Sequence, residues 1–288
     1  KYTIQNSGAN GGKVGDTDID FSSQSIVIKR AFNSLFAAEA NAADGSHLTS
    51  SDLVAADFRL YFVCYADGDD TTAVTFDGYT TGPANYIEIF TPTTSNEVGV
   101  AQRHTGIAGT GYCLAPVTSV PGASYYGLRI NDDHVRVKGI EVDLRNVTNG
   151  EMVYGVEISS VSATASDIRL ESNIIHDVMN SRIDVSDASE TFGIYCSSGI
   201  IMLMNNIIYN ITTVSTFSGD DAIGIYCDTA NTKAYIYSNT IFDIEVTRAM
   251  NGQAICVRQN GAAYVTVKNN YAGNPFSSKS TETCFSCA

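Results

Sequence analysis

The sequence predicts an all-β solenoid, built of short strands, three to a repeat, stacked coil upon coil, with an amphipathic helix covering one end. Three observations lead there. A phrase recurs at nearly fixed spacing: Gly193-Ile194-Tyr195-Cys196 returns 31 residues later as Gly224-Ile225-Tyr226-Cys227. Its companion Asn206-Ile207-Ile208-Tyr209-Asn210-Ile211 returns 33 residues later as Asn239-Thr240-Ile241-Phe242-Asp243-Ile244. Self-similarity at such a period marks a repeat architecture, because each unit buries its apolar face only against its neighbours. Finally, apolar and polar residues alternate with period 2 inside each phrase, which is the spacing of a strand and not of a helix.

The repeat extends outward from this pair. Ser172-Asn173-Ile174-Ile175-His176-Asp177 precedes it and Asn269-Asn270-Tyr271 follows it. One strand per repeat is expected to turn inward Leu128/Ile130, Val156/Ile158, Ile194/Cys196, Ile225/Cys227 and Ile255/Val257, leaving Arg129, Glu157, Tyr195, Tyr226 and Cys256 outside. A second strand turns inward Val135/Val137, Ile168/Leu170, Ile201/Leu203, Ala234/Ile236 and Val265/Val267. A propeller blade would need hairpin turns at one place in every repeat, and Asn-Gly pairs do not recur that way. Asn173, Asn206, Asn239 and Asn270 form the expected structural ladder, an asparagine at each bend tolerating the left-handed conformation while its amide bonds to the next. The phrases IRLESNIIHDV, IIMLMNNIIYNI and AYIYSNTIFDI resemble rungs of the right-handed parallel β-helix, or pectate-lyase-like, superfamily. The likeness covers about residues 58 to 275 and implies about six three-strand coils. That superfamily includes lyases, hydrolases, tailspikes, adhesins and inert structural proteins, so the resemblance speaks to fold and not to activity.

Three regions follow. Residues 1–57 read as an N-terminal strand and helical cap, 58–275 as the solenoid and 276–288 as a C-terminal tail or cap. In the first, Ile28, Ala31, Phe32, Leu35 and Phe36 share one helical face behind capping serines, and Glu39 returns to that face, so burial is expected to stop before it. Covering the end of a solenoid protects strand edges. Residues 91–124 form a long Thr/Gly/Ser/Pro-rich excursion, and later excursions recur after each third strand, stacking on one side as a binding face.

Composition narrows the partners. In 288 residues, 31 acidic side chains against 17 basic give a net charge of −14. Such a surface repels nucleic acid and anionic membranes, and disfavours a polyanionic glycan unless calcium bridges the two. No apolar run is long enough for a membrane span. The opening Lys1-Tyr2-Thr3-Ile4 reads as a strand, so an extracellular or cell-surface chain would already have lost its signal. No cofactor is called for beyond a Ca2+ candidate at Asp16, Asp18 and Asp20, where the glycine and distal Glu of an EF-hand are missing.

Chemistry is sought at six places. Ser218-Gly219-Asp220-Asp221 resembles the Gly-Asp-Asp segment of polygalacturonases, which implies Asp220 and Asp221 as acid and base. The Gly-His-Gly and Arg-x-Lys partners of that family are absent. A calcium lyase needs an acidic cluster beside a basic side chain on the second strand, and none is there. A Tyr/His pair is offered by His176 and Tyr209 one coil apart, with His176 expected in a solvated loop. Tyr195, Tyr226, Tyr235, Tyr237, Met202 and Met204 make an aromatic, soft outer face suited to sugars or to a protein interface. Of seven cysteines, Cys196 and Cys227 are expected buried, whereas Cys256, Cys284 and Cys287 are disulfide candidates within or between chains. Asn146 and Asn210 fit the glycosylation pattern.

The motifs lean away from catalysis. The leading expectation is a secreted structural or surface protein that self-assembles into a filament, coat or fibre through solenoid ends or its tyrosine face. The alternatives are a carbohydrate-binding or polysaccharide-cleaving β-helix, lyase or hydrolase, and a tailspike-like host-recognition module.

Overall fold

The structure, a computed structural model, describes residues 31–45, 47–94, 101–117, 123–147, 151–159, 161–181, 189–214, 219–247, 251–261, 263–277 and 282–287. The expected calcium loop at Asp16, Asp18 and Asp20 lies outside them.

Three parallel sheets make up the molecule, and consecutive strands go to different sheets. The first sheet stacks Leu60–Val63, Ile87–Phe90, Val135–Lys138, Ile168–Glu171, Gly199–Met204, Thr232–Tyr237 and Tyr264–Lys268. The second stacks Cys113–Leu114, Glu141–Asp143, Ile174–Asn180, Ile207–Val214, Thr240–Thr247 and Tyr271–Ser277. The third stacks Val74–Phe76, Tyr125–Ile130, Met152–Ile158, Glu190–Cys196, Ala222–Cys227, Ala254–Gln259 and Glu282–Cys287. This all-β stacking is that of a β-solenoid. Residues 282–287, expected without rung pattern, are a strand paired with Ala254–Gln259. Backbone pairing needs no apolar alternation.

The core is an aliphatic ladder. Ile168, Ile201 and Ala234 lie in register, as do Leu170, Leu203 and Ile236, all at most 1% exposed. Buried side chains of all three sheets merge into one cluster.

The asparagine ladder stands at the bend between the first and second sheets. Asn206 Oδ1 accepts from the Asn173 backbone N–H and side-chain amide, both at 3.0 Å. Asn239 does the same for Asn206 at 2.9 Å, and Asn270 for Asn239 at 2.7 and 2.9 Å. Each amide also donates to a carbonyl of the preceding repeat, for example Asn206 to Leu170 O at 2.9 Å. One expectation is corrected: the left-handed residue is the one before each ladder asparagine. Ser172, Asn205, Ser238 and Asn269 have φ of 55–56°, which frees the ladder residue to turn its amide along the stack.

The helix also differs from its prediction. It runs Leu35–Asn41 (α1), because Ser34 is its N-cap and accepts from the Ala37 N–H at 3.0 Å. Ala31 and Phe32 precede it, Phe36 is exposed, and Leu35, Ala38 and Ala42 face the core. Glu39 lies within the helix and is half-buried, and burial pushes its carboxyl up to about 7. Among the described residues, no helix is long and apolar enough to cross a membrane.

Cys256 was expected outside and is fully buried. The last repeat pairs Ile255 with Ile223 and Val257 with Ile225, a register two residues away from the one read by matching Ile255 to Ile225. Cys256 therefore takes the place held by Gly193 and Gly224 in earlier repeats. At Gly193 an added Cβ would lie 2.5 Å from Gly224 O and 2.7 Å from Ile208 Cγ2, so that place faces inward and is tight. The facing residue on the next strand is Cys284, and both thiols are free.

Candidate functional site

The outer face of the third sheet carries two side-chain rows set by strand register. One row runs Tyr126, Tyr154, Phe192, Ile223, Ile255, and the other Arg129, Glu157, Tyr195, Tyr226, Arg258. Tyr154, Phe192, Ile223 and Ile255 of the first row form a second apolar cluster, separate from the core, against which Tyr126, Tyr195 and Tyr226 pack. The Phe192 ring lies between Tyr154 (5.1 Å, 10° between planes) and Tyr226 (5.6 Å, 9°), with Tyr195 tilted against it at 5.2 Å. These are the offset and edge-on arrangements that aromatic quadrupoles favour. Phe192 is buried, while Tyr126, Tyr195 and Tyr226 remain half-buried.

Charged groups close both ends. Arg129 pairs with Glu157 at 2.6 Å and sits 4.0 Å above the Tyr126 ring. Arg258 pairs with Asp221 at 2.6 Å, donates to Gln253 Oε1 at 2.6 Å and lies 5.7 Å from the Tyr226 ring. Along one side stand Glu190, Asp220 and Asp221. Burial pushes Glu190 up to about 7, with the charge of Asp221 adding and Arg258 opposing. Asp221 is raised by burial against the pull of Arg258 and of the Gln253 N–H, which donates at 2.7 Å. Asp220 accepts from the Ser189 N–H at 2.9 Å, and its other oxygen is buried without a hydrogen-bond partner among the described residues. On the other side, Asp228 accepts from the Tyr195 hydroxyl at 2.7 Å and from Asn260 at 3.0 Å. Burial pushes Asp228 up, but donors from Asn260, Tyr195 and Tyr226 outweigh it and hold the carboxyl below its usual range. Tyr226 is raised to about 12 by burial and by Asp228, so its hydroxyl stays protonated.

The face thus offers half-buried aromatic rings, carboxylates in unlike protonation states and a fixed guanidinium. A carboxyl near 7 can give up or take a proton at neutral pH. Asp220 and Asp221 belong to this site: the Gln253 N–H and Arg258 hold Asp221, while Asp220 keeps one oxygen without a hydrogen-bond partner among the described residues.

The six residues expected to form one outer face are divided. Tyr195 and Tyr226 are here, but Met202, Met204, Tyr235 and Tyr237 belong to the first sheet, where Met202 faces Tyr235 and Met204 faces Tyr237. His176 and Tyr209 do stack, at 5.1 Å and 5°, on the second sheet, and Phe242 continues the stack at 5.1 Å. His176 is no solvated loop residue: it is buried, with Glu141 at 2.9 Å and Asp177 at 3.0 Å.

Sequence reasoning missed Glu190, Asp228 and Arg258. Glu190 pairs with Met152 in the preceding repeat and is level with Asp221 in the next, a match set by strand register and not by any repeated phrase. Arg258 falls in line with Tyr226 only in the corrected register of the last repeat. Asp228 had a signal, since it directly follows the Gly-Ile-Tyr-Cys phrase where the strand ends. No family model, no curated protein and no solved structure matches the chain, so its functional reading rests on the chemistry of these side chains.

Proposed function

We propose that this chain is an extracellular carbohydrate-binding β-helix, right-handed and of about six coils, that holds a neutral glycan along the outer face of the third sheet. The observation that carries the reading is the pair of half-buried rings, Tyr195 and Tyr226, in register on neighbouring strands with carboxylates on both sides. Sugar rings present C–H faces to aromatic rings and hydroxyls to carboxylates and guanidinium groups, so both components of a saccharide find partners here. The acidic edge and the net charge of −14 favour a neutral glycan over a polyuronate.

Titration calorimetry with a panel of neutral oligosaccharides tests it. Tyr226→Ala should weaken binding at least tenfold, while Tyr235→Ala on the first sheet should leave it unchanged. No binding across the panel, or equal losses from both variants, would sink the reading. Release of shortened products by the wild type and not by Glu190→Gln would extend the function to glycoside hydrolysis.

Self-association is a second reading, and one observation favours it. The outermost described strand of each sheet exposes large apolar side chains, namely Tyr264, Tyr271, Phe276 and Phe285. Unpaired strand edges beside such side chains invite a second chain. Light scattering should then show oligomers that Phe285→Glu dissolves, and a monomer at every concentration would exclude this reading.

A further inference from the structure

On the outer face of the second sheet, a different group of side chains converges. Cys113 faces Glu141 on the neighbouring strand, and Asp143 faces His176 on the next. The potential donor atoms of Cys113, Glu141 and Asp143 all lie within 4.8 Å of one another, and the same holds for Asp143, His176 and Asp177. Asp143 belongs to both sets. We propose that Cys113 Sγ, a Glu141 oxygen, an Asp143 oxygen and His176 Nε2 bind one divalent transition-metal ion of the Zn2+ class.

Three features support this beyond the clustering of acids. The donor set mixes sulfur, imidazole nitrogen and carboxylate, which suits Zn2+ and not the all-oxygen preference of Ca2+ or Mg2+. His176 turns Nε2 toward Glu141 Oε1 at 2.9 Å and Asp143 Oδ2 at 4.0 Å, while its Nδ1 meets Asp177 Oδ2 at 3.0 Å. A carboxylate behind the outer ring nitrogen is the arrangement that orients metal-bound histidines. Asp143 Oδ2 is fully buried and, among the described residues, already faces a cation, the Arg145 guanidinium, with which it pairs. Lastly, Glu141 is held from behind, its Oε2 accepting from the Gly109 N–H at 2.7 Å.

The site also explains why part of the long excursion lies where it does. Cys113 and Gly109 come from that excursion, and His104 ties it further to Ser172 O at 2.9 Å. An ion bound by Cys113 on one side and by Glu141, Asp143 and His176 on the other pins the excursion to two successive repeats. With four protein donors and little solvent access, this is a closed, structural site.

The test uses the full chain, stripped with a chelator and titrated with Co2+ and then Zn2+. The expected result is one ion per chain, visible Co2+ bands of tetrahedral intensity with a thiolate-to-metal band in the near ultraviolet, and a rise in Tm with Zn2+. Cys113→Ser should lose the thiolate band. Asp177→Asn, a conservative change at a partly exposed side chain, should fold and bind about 10–100-fold more weakly. Absence of stoichiometric binding overturns the proposal. So does a thiolate band that survives in Cys113→Ser, an Asp177→Asn variant with unchanged affinity, or a preference for Ca2+ over Zn2+.

Discussion

Two stripes of outward tyrosines look alike in sequence and differ in the folded chain. On the first sheet Tyr235 and Tyr237 are half-exposed, 6.1 Å apart, beside Met202, Met204 and the Lys233 ammonium, which lies 5.7 Å from the Tyr235 ring. On the third sheet Tyr195 and Tyr226 pack on a buried Phe192 and share the acceptor Asp228. Strand propensity favours tyrosine equally in both places. The difference comes from what flanks the strands. In the third sheet, the chain enters through Glu190 and Asp220-Asp221 and leaves through Asp228, so carboxylates border the aromatic rows. The first sheet is entered through Thr232 and left through Ser238 and Asn239, which the ladder occupies. A tyrosine stripe becomes a chemical site when its turns bring charge to it.

Substitutions can break this contrast. The largest effect is expected from Phe192→Ala, which should cost about 3–5 kcal/mol in chemical denaturation, because it opens a cavity between two stacked rings and beside a third, tilted one. Tyr235→Ala on the first sheet should cost about 1 kcal/mol or less. Equal losses would mean that the outer cluster of the third sheet adds nothing to stability.

The next effect depends on pH. Glu190 is raised from 4.5 to about 7 by burial, so folding favours its neutral form. Its contribution is complete below the unfolded value near 4.5 and is lost as pH rises through about 7. Glu39, at about 7, and Asp132, at about 6, act in the same direction. Stability should therefore fall between pH 5 and 8, and Glu190→Gln should flatten part of that slope, gaining about 1–3 kcal/mol at pH 8. An unchanged slope in the variant would place Glu190 in contact with solvent.

A smaller effect is expected at Tyr195. Tyr195→Phe removes the 2.7 Å bond to Asp228 and leaves the ring, so a loss of about 1 kcal/mol should appear, absent in Tyr237→Phe. If both variants lose the same amount, the carboxylate border does not distinguish the stripes.

Most of the architecture could be read without coordinates, for identifiable reasons. The asparagine ladder was legible because an amide that bonds to its own copy in the next repeat must recur in register. Aliphatic pairs such as Ile201/Leu203 were legible because period 2 sorts inside from outside in any strand. The last repeat was misread at Cys256, since matching one isoleucine to the wrong isoleucine shifts a strand by two residues and preserves its alternation. Likewise, α1 began later than its apolar face suggested, because Ser34 sets the cap.

The sequence by itself determined a stack of parallel strands, its asparagine spine and its acidic character, since these are repeated or summed properties that survive any small error of register. Only the tertiary structure decided that Glu190, Asp221, Asp228 and Arg258 border one pair of tyrosines, and that Cys113, Glu141, Asp143 and His176 meet behind the second sheet. Most of these groups lie on different strands, tens of residues apart. Their meeting depends on the register of successive strands and on the path of irregular excursions, and neither leaves a periodic trace in the chain.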